Sequence, residues 1–147
     1  MQSNFMLKHS LLLFLLLLFS CRERPFCTVK EGSSGEILGN VFIPCLINSG
    51  SGLVIRNASE LNAVVDSSCG TISVDFTSES LLALRASGGC DVGFERRVIK
   101  DATNKTYHYQ VIVTSCGLCK SLAMSDNIVR VPAIPNDWTV TFEVIGE

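Results

Sequence analysis

A chain of 147 residues with 12 Lys+Arg against 14 Asp+Glu and seven cysteines is long enough to bury one core and too short for two comfortable ones. Its formal charge of −2, with no cluster of Lys and Arg, excludes the electrostatic footprint of nucleic-acid binding. The mean hydropathy of +0.35 is inflated by one N-terminal stretch and does not make the remainder membrane-like.

That stretch comes first. Residues 1–10 carry Lys8 and no acidic residue and lead into nine consecutive Leu or Phe residues, Leu11 to Phe19. A basic start, an apolar middle and a small residue before the cut form the layout of a secretory signal. A permanent span needs about 20 apolar residues, and Arg22, Glu23 and Arg24 arrive before that length is reached. The expected division is a signal over residues 1–20, a polar tether over 21–36 and a single β-rich domain over 37–147. Removing the signal takes Lys8 with it and leaves a mildly acidic chain of 127 residues.

Leu18-Phe19-Ser20-Cys21 resembles a bacterial lipobox, and an apolar run ending Phe-Ser-Cys before charge looks like lipoproteins of Bacteroidetes-type bacteria. The resemblance implies palmitate-type lipidation of Cys21, a lipid bilayer as the first partner, and a cell-envelope location on the outer membrane or its periplasmic face. Parity argues the same way. Seven cysteines in an exported chain leave one over, and lipidating Cys21 leaves an even set: Cys27, Cys45, Cys69, Cys90, Cys116 and Cys119. Ordinary secretion is the alternative, with Cys21 inside the signal or left over. Asn57-Ala58-Ser59 and Asn104-Lys105-Thr106 are glycosylation acceptors if the chain is instead a secreted eukaryotic binding module.

Within the tether, Cys27 is expected to pin the polar, Gly/Ser-containing arm to the domain, since an exposed thiol is disfavoured in an oxidising compartment. Residues 40–47 read as a strand, with Pro44 marking an edge or a bulge. Residues 48–52 read as a turn and 53–55 as a further strand. Residues 57–66 form the one short helix: Asn57 followed three residues later by Glu60 is a capping signature, and Leu61, Val64 and Val65 share a face. A brief strand is expected over 71–75. Residues 81–84, unbroken apolar, suit a central strand. Ser87-Gly88-Gly89-Cys90 is a turn into a strand over 91–100, and Asp101 to Lys105 is a hairpin loop.

Tyr107, Tyr109, Val111 and Val113 alternate with His108, Gln110, Ile112 and Thr114, the period of a half-buried strand. Val140, Phe142 and Val144 repeat the pattern near the C-terminus. Between them lie a loop containing the Cys pair, a strand over 128–131 and a Pro132/Pro135 turn; a redox reading of that pair would add a short helix over 120–124. The fold class is therefore α+β, mainly antiparallel, a sandwich or small barrel of six to eight strands with one short helix.

Folding the hairpin about Thr103 sets Cys90 opposite Cys116, close enough for a disulfide after small adjustment, with Cys119 the alternative partner. The other pairings stay open. Cys116-Gly117-Leu118-Cys119 also admits a periplasmic thiol-disulfide oxidoreductase, although only 28 residues follow Cys119, whereas most of a thioredoxin-like domain follows its Cys pair. Zinc needs four ligands, usually from two such pairs or with His. One Cys-x-x-Cys and one His, His108, remain after signal removal, so no metal or cofactor is expected.

Nucleophilic catalysis needs a base within about 3 Å. His108 and Cys116 lie on one strand, about 26 Å apart at ~3.3 Å per residue, and His108 reads as a solvent-face residue. Asp66, Asp75, Glu79 and Glu95 contain no pair singled out by spacing. No phosphate loop, metal-binding His pair or nucleophile elbow is present. The expectation is a protein without enzymatic activity.

From Leu53 onward the order Leu-Val-Ile-Arg-Asn-Ala-Ser-Glu-Leu, Val74-Asp75-Phe76, Leu81-Leu82-Ala83-Leu84, Gly88-Gly89, two strands, and a closing strand after Val131-Pro132 resembles the PrcB-like C-terminal domain. The resemblance covers about two thirds of the chain through apolar and Gly positions. It implies a noncatalytic domain that binds another envelope protein or serves as an accessory to a surface complex, and it offers no catalytic residue. The extra cysteines, Cys116 and Cys119 among them, depart from its usual pattern.

Overall fold

A computed structural model describes residues 28–43, 46–47, 49–66, 72–89, 91–116 and 121–146. Among these, eight strands form two four-stranded sheets. One sheet holds β1 (Gly32–Gly35), β5 (Asp91–Asp101), β6 (Thr106–Cys116) and β8 (Thr139–Gly146), in that order across the sheet. The other is ordered β2 (Gly39–Val41), β7 (Ala123–Pro132), β4 (Glu79–Gly88) and β3 (Leu53–Ile55). A single short helix, α1 (Ala58–Val64), completes the expected β sandwich with one helix.

The second sheet is antiparallel throughout, whereas the first carries two parallel pairs, β1 with β5 and β6 with β8. Those parallel pairs arise because the chain leaves the first sheet, adds strands to the second and comes back. No tight turn can make such a connection.

The apolar residues sort into two cores. Between the sheets, Leu82, Leu84, Val98, Tyr107, Tyr109, Val111, Val129 and Val131 are buried. On the far side of the second sheet, Ile43, Leu46, Ile55, Leu81, Ala83 and Ile128 pack with Leu61 of α1. Leu81-Leu82-Ala83-Leu84 thus alternates between two interiors, which is why this central strand reads as an unbroken apolar run.

The capping signature also holds. Asn57 Oδ1 accepts the Glu60 backbone N–H at 2.9 Å, while a Glu60 carboxylate oxygen accepts the Arg56 N–H at 2.7 Å. Two donors at the helix entrance are thereby satisfied. Of the expected 48–52 turn, Ser49–Ser51 form a single 3-10 turn that leads into Gly52 with φ +86, where a Cβ would lie 2.3 Å from Phe142.

Six expectations need correction. The polar arm does not end at residue 36, because residues 32–35 already pair with Glu95 to Val98 as β1. What permits this is space: Gly93 leaves room for the Lys30 carbonyl, which would lie 2.3 Å from a Cβ there, and Gly35 (φ +79) lies against the Val98 carbonyl. The expected 40–47 strand is only three residues long and shifted, Gly39–Val41, pairing with Ile128 to Arg130 at the sheet edge that Pro44 suggested; Pro44 itself is outside the described residues. Ile43 and Leu46, both outside the ladder, are buried in the second core.

Residues 72–75 form no strand. Instead the Asp75 carboxylate accepts from the Thr77 N–H, the Thr77 hydroxyl and the Ser78 hydroxyl, bending the chain into β4. The 120–124 helix is replaced, from Ala123 on, by β7. The hairpin register is displaced by one, so that Asp91 rather than Cys90 opposes Cys116, because Asp101 and Thr106 close a loop with an even number of residues between them. Finally, Val144 is 46% exposed, since β8 is an edge strand and only Val140 and Phe142 of its apolar face reach the core.

Candidate functional site

The face of the first sheet that points away from the core is lined by a polar ladder. His108 Nδ1 lies 2.6 Å from Thr141 Oγ1, its Nε2 lies 3.0 Å from Glu143, and Gln110 donates to the same carboxylate at 2.8 Å. Those bonds, Gln110 first and His108 second, hold the Glu143 carboxyl below the ordinary carboxylate range. His108 therefore sits on the solvent face, as expected. β6 is continuous from Thr106 to Cys116, so the eight-residue separation of His108 from Cys116 persists.

The carboxylates considered from sequence are scattered among different partners. Asp75 is bound within its own turn, Glu79 lies 3.6 Å from Arg130, and Glu95 pairs with Arg97 at 3.2 Å. Asp66 lies just beyond α1. Among the described residues, no group of three or more His, Cys, Asp or Glu is placed to hold a metal ion, and no helix is long and apolar enough to cross a membrane. Cys116 ends β6 and is buried. Cys21, Cys27, Cys45, Cys69, Cys90 and Cys119, together with the signal segment, lie outside the described residues.

A cleft of about 500 Å³ opens at the side of the sandwich where β2 gives out. Residues 40–43 form one wall, Met124, Ser125, Asp126 and Ile128 of β7 another, and Arg96 of β5 reaches in from the opposite sheet. Register explains the placement. Arg96 opposes buried Val111, Asn40 opposes buried Val129 and Ser125 opposes buried Ala86, so all three point between the sheets at their margin. Met124, Asp126 and Ile128 belong to the other face of β7, and the cleft wraps the strand between them.

Asn40 is held by the Ser33 hydroxyl at 2.9 Å, which ties the β1 and β2 edges together beside the opening. Asp126 is engaged by Arg85 through two bonds, 2.8 and 3.1 Å, a bidentate pair that neutralises its charge. Arg96 has no carboxylate partner among the described residues, and its positive charge is felt at the buried phenol of Tyr109. At the rim, Phe42 is 86% exposed and Met124 68%. Such a combination can bind a group; it contains no nucleophile with a base beside it.

Sequence reasoning missed Arg96, Phe42 and Met124. A signal for the first was present, because Phe94 and Val98 are core positions of β5 and Arg96 interrupts their period of two. Nothing local marks Phe42, whose exposure follows from β2 ending at Val41.

No family model matches this chain, and neither does any curated protein or solved structure.

Proposed function

We propose that the chain is a membrane-anchored envelope lipoprotein whose disulfide-stapled β domain binds another protein without catalysing a reaction. The observation that carries the binding half is the marginal cleft, where two large apolar side chains stand in water beside an arginine that lacks a carboxylate partner among the described residues. Exposed apolar clusters with a polar rim are typical of interaction sites. The anchoring half rests on the Leu11 to Cys21 segment and on cysteine parity. The resemblance to PrcB-like domains points to the same accessory, partner-binding role.

In this reading Cys116 pairs with Cys90 or Cys119, and Cys27, Cys45 and Cys69 complete the set with the remaining one. Support for Cys90 comes from its chain neighbour Asp91, which stands opposite Cys116. The polar residues after Cys21 are the spacer off the bilayer, pinned to the domain where Cys27 pairs.

Two measurements test the two halves. Intact mass of the membrane-extracted protein should give an N-terminus at Cys21 carrying lipid; a free Cys21 or cleavage elsewhere overturns the anchor. A photo-crosslinking residue at position 42 should give one discrete adduct in cells, while the same residue at position 144, also exposed, should not. Equal labelling from both positions, or none from 42, overturns the docking site.

A further inference from the structure

We infer that the cleft reads an acidic side chain borne on an apolar, extended segment of its protein partner; this rests on the binding role proposed above and specifies the ligand. Three observations fix the chemistry. Arg96 is half-buried on the face of β5 that otherwise builds the core, where an unpaired charge is costly. The acid already lining the cleft, Asp126, is matched by Arg85, so the net charge presented is that of the Arg96 guanidinium. A planar guanidinium offers a fork of donors shaped for a carboxylate, and shielding from bulk water makes such a pair stronger than one at the open surface.

The rim fixes the class of carrier. Phe42 and Met124 line the mouth of the cleft yet remain 86% and 68% exposed, so a small anion seated against Arg96 would leave most of both in water. A peptide segment crossing the opening covers them while sending one acid inward. Aromatic and methionine side chains are suited to that contact, the first as an anchor and the second as an adaptable filler. Ser125 and Asn40, both aimed between the sheets, supply neutral hydrogen-bonding groups beside the arginine. The competing account of Arg96 is that its stem covers apolar surface while its head reaches solvent, and the test separates the two.

A random decapeptide display library is selected on the immobilised full chain, and the enriched peptides are then measured in solution. The expected consensus carries Asp or Glu within two residues of an aromatic or aliphatic side chain. Changing that peptide acid to its amide should weaken binding about tenfold or more, as loss of a charged hydrogen-bond pair does. R96Q should produce the same loss, and the two changes together should cost little more than either alone, the mark of a direct pair. R96K, which keeps the charge and loses the fork, should fall between. An acid-free consensus, or full affinity retained in a folded R96Q variant, overturns the inference. If peptides are enriched and weakened by F42S but indifferent to their acid, the docking site stands and this ligand chemistry falls. If nothing is enriched above an F42S/M124S double variant, the docking reading falls with it.

Discussion

Replacing Tyr109 with Phe removes one oxygen from the middle of the inter-sheet core and should change how stability depends on pH. Tyr109 is 0% exposed, and its hydroxyl donates to the Asn127 backbone carbonyl at 3.1 Å. A net hydrogen bond contributes about 0.5–1.5 kcal/mol, and stranding its buried acceptor raises the loss toward 3. The carbonyl keeps a second lone pair, so we expect Y109F to cost about 1–1.5 kcal/mol at pH 7. Burial holds the phenol well above its ordinary pKa of 10, with the nearby Arg96 charge acting in the opposite sense. Because the folded value is raised, the contribution is fully present below pH 10. Above it the unfolded phenol ionises first, and stability falls by about 1.4 kcal/mol per pH unit. The Phe variant lacks that limb. Urea unfolding followed by the fluorescence of the one tryptophan, Trp138, whose ring centroid lies 5.4 Å from that of Tyr107, reads both proteins across the range. The difference of about 1–1.5 kcal/mol at pH 7 should vanish near pH 11. A gap that stays constant from pH 7 to 11 would refute the assignment of a buried, neutral phenol.

L82A, at a 0% exposed position of the inter-sheet core, should cost about 2–5 kcal/mol in the same unfolding assay, whereas V144A, at 46% exposure, should stay within about 0.5. G93V places methyl groups where the Lys30 carbonyl and a Val29 methyl pass, 2.3 and 2.4 Å from a Cβ. Hydrogen exchange should then show the Glu36 amide, which donates to the Val98 carbonyl at 3.0 Å, losing protection while those of β6 keep it; unchanged protection in both would contradict the account of β1. The Glu143 carboxyl is held low by Gln110 and His108, so its contribution is present at neutral pH and lost as pH falls through that lowered value. E143Q should flatten this part of the acid limb in a thermal melt series from pH 6 downward.

Much of the fold was legible because it is written locally. The Asn57/Glu60 cap, the Tyr107 to Val113 alternation and the doubly buried Leu81 to Leu84 run each state their own environment within ten residues. β1 was illegible for the converse reason: Gly32-Ser33-Ser34-Gly35 has no side-chain signal, and it becomes a strand only because Gly93, some sixty residues later, leaves room for the chain to pass. The hairpin register failed by one residue because turn length, not strand pattern, sets it. The cleft was illegible as a whole, being assembled from β2, β5 and β7, and its one sequence trace was Arg96 in an otherwise apolar period.

The layering narrows where a partner can gain binding energy. The outer face of the second sheet is taken by α1 and by residues around Ile43, Leu46 and Phe76, which fill the second core. The outer face of the first sheet is open to water, but its polar residues already satisfy one another along β6 and β8. Docking there would exchange made hydrogen bonds for others, with little net gain. At the margin beside β7 the balance differs. Phe42 and Met124 gain by leaving water, and Arg96, already half stripped of solvent, loses little hydration when a carboxylate arrives. Binding energy is thus available at an edge rather than on a face, and the three-residue β2, which ends at Val41 and lets the next residue stand out, creates that edge.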